Sequence, residues 1–248
     1  ELADALRLLP PLGFIGVNLT IPHKAAALSL MDRLDDHARR IGVVNTVVVE
    51  GGRLAGFNTD GPGLVRAVRG EFGSNLSDLR VMILGAGGGA GRAIAMQCAI
   101  ENCPRLVLVN RTLDKIESLK TELTPLFRSS GAAGRDHVST IPWDETSLRE
   151  AVREIDLVIN STSVGLASGD PSPLPASMLE SRLLVYDTIY TANRTKLMLA
   201  ADEVGARSAN GLSMLLHQGA LSFEIWFHRE APVEEMREAL LNQARKRK

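Results

Sequence analysis

The stretch Val81–Arg92, VMILGAGGGAGR, decides the fold. Its apolar start reads as a strand, Val81–Leu84, the glycines follow at once, and a helix-like segment runs from Arg92 to Ile100. Gly85, Gly87 and Ala90 fit the spacing G-x-G-x-x-[GA]. In that pattern the first glycine permits a tight turn and the second lets the backbone approach a pyrophosphate. The third small residue, here Ala90, lets the helix pack close to the strand. Gly85, Ala86, Gly87, Gly88 and Gly89 would then offer backbone N–H groups and the positive helix end to phosphates. A second apolar run, Arg105–Val109, about 20 residues further on, supplies the next strand of the unit.

The tip of that second strand reads the cofactor. A site for NAD usually places Asp or Glu there to bind the ribose 2′-hydroxyl. This chain has Asn110, Arg111 and Thr112, with Lys115 one turn later. A guanidinium and an ammonium suit a 2′-phosphate by charge and by forked hydrogen bonds. The spacing therefore predicts NADP rather than NAD. The plainer alternative, that Arg111 and Lys115 are solvated helix-surface charges beside Asp114, stays open at this point.

Composition sets the outer bounds. The chain has 248 residues, 45% hydrophobic and 23% charged, the balance of an ordinary globular protein. A formal net charge of -1 provides no basic field for nucleic acid or an anionic membrane surface, so neither is expected as a partner. No apolar run approaches the ~20 residues of a membrane helix. The opening ELADALRLLPPLG reads as neither a signal nor a transit peptide, which points to the cytoplasm. Cys98 and Cys103 make no disulfide framework, and the five histidines show no metal-ligand spacing, so no metal site is expected. Without a secretion signal, the Asn-x-Ser/Thr matches at Asn18, Asn75, Asn110, Asn160 and Asn193 read as chance or as serving another purpose.

Three zones follow along the chain. The first, Glu1–Asp60, predicts a helix over Glu1–Leu9, a strand leading into GVNLTIPHK and a helix over Lys24–Ile41. A hairpin of Val43–Glu50 and Arg53–Phe57 turns at Gly51-Gly52. The second zone, about Gly63–Asn210, alternates helices with strands at Val81–Leu84, Arg105–Val109, Leu157–Asn160, Leu183–Asp187 and Arg207–Ala209. That alternation predicts a parallel sheet with helices on both faces. Ser129–Asp136 and Ala167–Pro175 read as loops. The third zone predicts helices over Leu212–Phe227 and Val233–Arg247, divided by Ala231-Pro232.

Three polar clusters interrupt the apolar segments: Asn18–Lys24, Val44-Asn45-Thr46 and Asn58–Gly61. Polar groups at strand ends suit a polyhydroxylated ligand, each of whose hydroxyls wants a donor and an acceptor. Lys24 can donate a proton and Asp60 can accept from it. Such a pair could protonate a carbonyl oxygen as hydride reaches its carbon. Singly, each residue also has a structural reading: Lys24 as a helix-surface lysine, Asp60 as the cap of a helix starting at Gly61-Pro62, Asn45 as the cap of a turn.

Taken in order, GVNLTIPHK, IGVVNTVV, GFNTDGPG, GAGGGAGR, NRT, INSTSVG, YDTIY and NGLSMLLHQ resemble the shikimate dehydrogenase family from about Gly16 to Phe227. The first and third of these motifs are far more specific than the glycine loop. The resemblance implies an α/β enzyme of two domains that reduces 3-dehydroshikimate to shikimate with NADPH in aromatic amino-acid (chorismate) biosynthesis. It implies that Lys24 and Asp60 are the catalytic pair. Thr20, Asn45, Asp60 and Gln218 would bind the ring hydroxyls or lie beside them, with Tyr190 at the carboxylate end. Gly85–Gly89 match the pyrophosphate loop, Asn110, Arg111, Thr112 and Lys115 the 2′-phosphate site, and Thr188 and Gly211 the nicotinamide lining. A substrate-binding domain of 1–60 plus 211–248 and a Rossmann-like NADP domain of 61–210 are expected, with two chain crossings making a hinge and a cleft.

The chain departs from the family pattern in three places. No Ser-x-Ser pair precedes Lys24. The family's opening strand–helix–strand unit, which carries that carboxylate clamp, is thus expected upstream; without it the first domain would expose a sheet edge and hold substrate weakly while still binding NADP. Lys115 stands where arginine is usual, and YDTIYTANRTKL lacks a proline often found after the tyrosine. A homodimer, and a fusion to another shikimate-pathway domain upstream, are compatible with the resemblance. Three other readings stay open: a quinate/shikimate dehydrogenase using NAD, a methylenetetrahydrofolate dehydrogenase-like oxidoreductase, and a catalytically silent ligand-binding homologue.

Overall fold

The structure, a computed structural model, describes residues 1–127, 137–167 and 169–246. The loop expected over Ser129–Asp136 and the last residue of the helix expected to end at Arg247 lie outside them. The chain divides into two compact units, one of Glu1–Gly63 with Leu216–Ala239, the other of Leu64–Leu215 with Leu240–Lys248.

The first unit contains α1 (Leu2–Arg7), β1 (Gly16–Asn18), α2 (His23–Ala26), β2 (Arg33–Leu34), α3 (Asp36–Ile41), β3 (Thr46–Glu50) and β4 (Arg53–Phe57). Its sheet has the order β1-β3-β4-β2. The β3–β4 hairpin turns at Gly51-Gly52 as its sequence predicts, β1 lies antiparallel to β3, and β2 lies parallel to β4. Leu6, Leu9, Ala27, Ala38, Val44, Val47 and Leu54 form the core beneath it.

The helix expected over Lys24–Ile41 is not continuous, and the reason is local hydrogen bonding. After α2 the chain makes one 3-10 turn and then joins the sheet as β2. There the Asp32 amide donates to the Leu54 carbonyl at 2.9 Å, and the Asp32 carboxylate accepts from the Leu54 amide at 2.7 Å. Asp35 then caps α3, its carboxylate accepting from the Ala38 amide at 2.8 Å. Aspartates that offer the backbone such partners favour caps and turns over helix interiors. The expected first helix is also shorter than Glu1–Leu9.

The second unit follows with α4 (Asp60–Phe72), β5 (Arg80–Leu84), α5 (Gly89–Ile100), β6 (Arg105–Asn110), α6 (Leu113–Leu123), β7 (Val138–Pro142), α7 (Glu145–Val152), β8 (Leu157–Asn160), β9 (Leu184–Asp187), α8 (Lys196–Glu203) and β10 (Arg207–Asn210). Then come α9 (Leu212–Phe227) and α10 (Val233–Lys246); α4, α9 and α10 each contribute residues to both units. The second sheet is parallel throughout, in the order β10-β9-β8-β5-β6-β7. Met82, Leu84, Val107, Val109, Val158 and Val185 meet Leu148 and Val152 of α7 and Leu197, Ala200 and Ala201 of α8 in one core cluster. The intervening residues Val81, Ile83, Leu106, Leu108, Leu157 and Ile159 are also buried, so both faces are covered. A sheet covered on both faces explains the near-continuous apolar runs of these strands.

In the second unit, β7 escaped the sequence reading. VSTIP of β7 carries half-buried Ser139 and Thr140 at the sheet edge, and so lacks the apolar run of its neighbours. The strand order reverses at β5, whose neighbours are β6 and β8. In open α/β sheets ligands bind at the carboxyl ends of the strands beside such a reversal.

Candidate functional site

In the first unit, the turn after β1 brings Lys24 onto α2. The Lys24 ammonium donates to Asp60 Oδ2 at 2.8 Å, with the two side chains 27% and 18% exposed. Backbone contacts hold both ends. The Lys24 carbonyl accepts from the Val44 amide at 2.9 Å, and Asn58 Oδ1 accepts from the Gly61 amide at 3.2 Å where α4 begins. The pair is thus a partly sheltered ion pair with ammonium protons to spare. Thr20 lies exposed on the turn, its carbonyl accepting from the His23 amide at 2.8 Å.

Asn45 is buried beside this pair. Its Oδ1 accepts from the Thr59 amide at 2.8 Å, and its Nδ2 donates to Thr59 Oγ1 at 2.9 Å and towards Gln218 Oε1 at 3.4 Å. Lys24 with Asp60, and Asn45 with Gln218, are therefore brought together within one unit from segments far apart in sequence. Ser222, on α9, joins the same group: its hydroxyl lies 2.8 Å from that of Thr46 and 3.3 Å from that of Thr59. The sequence reading missed Ser222. The available signal was its place four residues after Gln218, on the same helix face.

In the second unit, Gly85 follows β5 at φ +81°, a conformation that side chains rarely adopt. The Gly85 and Ala86 amides both donate to the Val109 carbonyl, at 2.9 and 3.1 Å, which fixes the loop over the strand ends. Helix α5 then starts at Gly89 with no side chain capping it. Among the described residues, the amides of Gly89, Ala90 and Gly91 have no hydrogen-bond partner. A helix start with free amides is an anion site in waiting.

The structure corrects the spacing read from the sequence. Ala90 is exposed, whereas Gly91 is buried. A Cβ on Gly91 would lie 2.5 Å from the Gly85 carbonyl oxygen and 2.6 Å from Ser161 Oγ. The close packing of helix on strand is therefore made at Gly91. Gly87 approaches the next strand tip: a Cβ there would lie 2.7 Å from Asn110 Nδ2 and 3.1 Å from Lys115 Cβ. So the glycine loop and the Asn110–Lys115 segment, separate in sequence, adjoin. Asn110 Nδ2 donates to the Thr112 carbonyl at 3.0 Å, holding the turn into α6. Arg111, Thr112 and Lys115 are exposed, and no described carboxylate pairs with either cation. These features fit a dinucleotide bearing a 2′-phosphate: free amides for the pyrophosphate and two uncommitted cations beside the strand tip.

Thr188 and Gly211 also adjoin. A Cβ on Gly211 would lie 2.2 Å from the Thr188 carbonyl oxygen, so only glycine fits there. Beneath them Asp187 is buried, with Oδ1 accepting from Asn160 Nδ2 at 2.9 Å and from the Ile189 amide at 3.2 Å. Among the described residues its Oδ2 has no hydrogen-bond partner. Burial pushes the Asp187 carboxyl above its usual range, against the lowering effect of the Thr195 hydroxyl and these two donors. Tyr190 belongs to this second unit and is 65% exposed. No group of His, Cys, Asp and Glu among the described residues could hold a metal ion, and no described helix is long and apolar enough to cross a membrane.

Known proteins bear on this geometry. Residues 1–47 match the model of the shikimate dehydrogenase substrate binding domain, and residues 211–241 that of the shikimate 5'-dehydrogenase C-terminal domain. A curated shikimate dehydrogenase (NADP(+)) of Methanopyrus kandleri is 40% identical over 247 residues, spanning 99% of this chain and 82% of that protein. Among solved structures, the shikimate 5-dehydrogenase of Thermus thermophilus in complex with NADP(H) and shikimate matches with a TM-score of 0.80 and 35% identity. The match covers 97% of this chain and 83% of the other. The quinate dehydrogenase of Corynebacterium glutamicum in complex with NAD matches with a TM-score of 0.85 and 28% identity, covering 98% and 83%. With identity of this order along nearly its whole length, this chain belongs to the shikimate dehydrogenase family of NADP-dependent oxidoreductases.

Proposed function

We propose that the protein catalyses the reversible reduction of 3-dehydroshikimate to shikimate with NADPH. The observation that carries this reading is the Lys24–Asp60 ion pair, 2.8 Å long, set beside the buried amide of Asn45. Bound NADPH supplies the hydride for the ketone carbon. Lys24 donates a proton to the oxygen that becomes an alkoxide, and takes one back in the reverse direction. Asp60 accepts one ammonium proton and so orients the others. Asn45 and Gln218 present a donor and an acceptor to ring hydroxyls, with Thr20 and Tyr190 as further substrate contacts. Residues 1–60 and 211–248 serve the substrate, and residues 61–210 serve the cofactor.

Gly85–Gly89 hold the pyrophosphate, Thr188 and Gly211 line the nicotinamide, and Asn110, Arg111, Thr112 and Lys115 take the 2′-phosphate. The last assignment favours NADP over NAD: where a 2′-hydroxyl would call for a carboxylate, this chain has Thr112 after two residues that can bind phosphate. The reading carries a cytoplasmic setting with it. Two free, buried thiols, Cys98 and Cys103, accord with a reducing compartment. Absorbance at 340 nm, with shikimate or quinate against NADP or NAD, tests the assignment. It expects the shikimate–NADP pairing to give the highest kcat/KM, and a highest value for quinate with NAD would replace it.

A further inference from the structure

We propose that Ser222 is a positioning residue for recognition of a substrate ring hydroxyl; the proposal rests on the shikimate reading and extends it. Ser222 is fully buried, and its hydroxyl stands at the centre of a closed polar group. It donates to the Gln218 carbonyl at 3.0 Å, one helical turn earlier. A hydroxyl has one proton and two acceptor lone pairs, so towards its other neighbours it accepts, from no more than two of them at once. Those neighbours are Thr46 Oγ1 at 2.8 Å, Asn18 Nδ2 at 2.9 Å and Thr59 Oγ1 at 3.3 Å. The Thr46 and Thr59 hydroxyls also reach Asn45 Oδ1, at 3.1 and 3.3 Å. Every hydroxyl proton thus finds an acceptor inside the group.

The consequence falls on Asn45. Asn45 Oδ1 is held by the Thr59 amide, and Thr46 and Thr59 each give their single hydroxyl proton either to it or to Ser222, so the carboxamide cannot turn over. One Nδ2 hydrogen is committed to Thr59 Oγ1 at 2.9 Å. The other points towards Gln218 Oε1 across 3.4 Å, too long for a strong bond. Asn45 Nδ2 and Gln218 Oε1 thus face each other across a long contact that a ligand hydroxyl could bridge. A ring hydroxyl fits them: it accepts from Asn45 Nδ2 and donates to Gln218 Oε1. Ser222 sets both sides of this pair. It fixes the turn that carries Gln218, and through Thr46 and Thr59 it fixes Asn45.

The test compares Ser222→Ala with the parent in the full-length protein, using shikimate, 4-deoxyshikimate and 5-deoxyshikimate. We expect the shikimate KM to rise about tenfold, the scale of one misplaced hydrogen bond. The NADP KM and kcat should stay within about twofold, and the penalty should vanish with one of the two deoxy analogues. A kcat loss as large as the KM change, an equal penalty with both analogues, or an unchanged shikimate KM would overturn the proposal. Thr46→Val keeps side-chain shape while removing a hydroxyl, and should give the same pattern if Ser222→Ala fails to fold. A parent with no activity on shikimate would instead remove the functional reading, and this proposal with it.

Discussion

Adding one methyl group at Gly91 tests how the glycine loop is built. The new Cβ would meet the Gly85 carbonyl oxygen at 2.5 Å, Ser161 Oγ at 2.6 Å and Ala86 Cα at 2.7 Å. Ordinary contacts begin near 3.5 Å, so the overlap is roughly 1 Å on each. None of the three can give easily. Two are backbone atoms of the loop, and Ser161 Oγ is itself bonded to the Leu84 carbonyl at 2.6 Å. Overpacking by one carbon costs typically 1–3 kcal/mol, and with rigid neighbours the upper half of that range applies. At about 2–4 °C per kcal/mol for a chain of this size, Gly91→Ala should lower Tm by roughly 5–10 °C. Because relief comes from moving the start of α5 off the strand, the free amides move too. NADP should then bind about tenfold more weakly or worse, since one bond to a charged group contributes roughly 1.5–3 kcal/mol. Calorimetry and a fluorescence titration with NADPH measure both. Ala90→Ser, at the position the motif spacing favours, should leave both within error because Ala90 is exposed. A Gly91→Ala protein with the parental Tm and affinity, or a larger effect at Ala90, would refute the reasoning.

Three further outcomes are expected. Lys24→Ala should lower kcat for shikimate oxidation by roughly 10²–10⁴, the range of one acid–base group, while the NADP dissociation constant hardly changes; near-normal kcat would make Lys24 a surface lysine. Arg111→Ala should erode the preference for NADP over NAD about tenfold in kcat/KM, and an unchanged ratio would move the 2′-phosphate elsewhere. Asp187 should make stability depend on pH in an unusual direction. Its folded carboxyl titrates above the unfolded value of about 3.9, so its contribution is full below that pH and is lost as pH rises through the folded pKa. Urea unfolding should show the parent losing ground to Asp187→Asn from pH 4 towards pH 7, and the opposite slope would show that burial does not dominate.

Much of the second unit was legible because its physics is local. Strands buried on both faces read as apolar runs, and a turn at positive φ needs glycine. Where that reading slipped, a neighbour far along the chain made the decision. Spacing alone cannot tell Ala90 from Gly91; the Gly85 carbonyl and Ser161 can. The break after Ala26 came from aspartates that find backbone partners on β4, whose pull no helical periodicity records. The Lys24–Asp60 ion pair, the proposed catalytic pair, was legible as two motifs, yet their juxtaposition was not, since Lys24 and Asp60 are 36 residues apart. Ser222 was the least legible, as its partners Asn18 and Thr46 lie 204 and 176 residues away.

Those last separations bear on the order in which the protein is made. The hydrogen bonds from Asn18 and Thr46 to Ser222, and from the Trp226 indole to the Val47 carbonyl, join the opening of the chain to α9. On a ribosome adding about 5–20 residues per second, the early segment emerges well before its partners exist. The strands of the second sheet, by contrast, are complete once Asn210 has been added. Synthesis therefore inverts the usual N-terminus-first sequence: the later-encoded sheet can settle while the opening segment waits for α9. During that interval the Val47 carbonyl and the side chains of Asn18 and Thr46 lack their partners on α9. A nascent chain arrested just short of Ser222 should accordingly show protease resistance in the second sheet and cleavage within the segment that precedes α4.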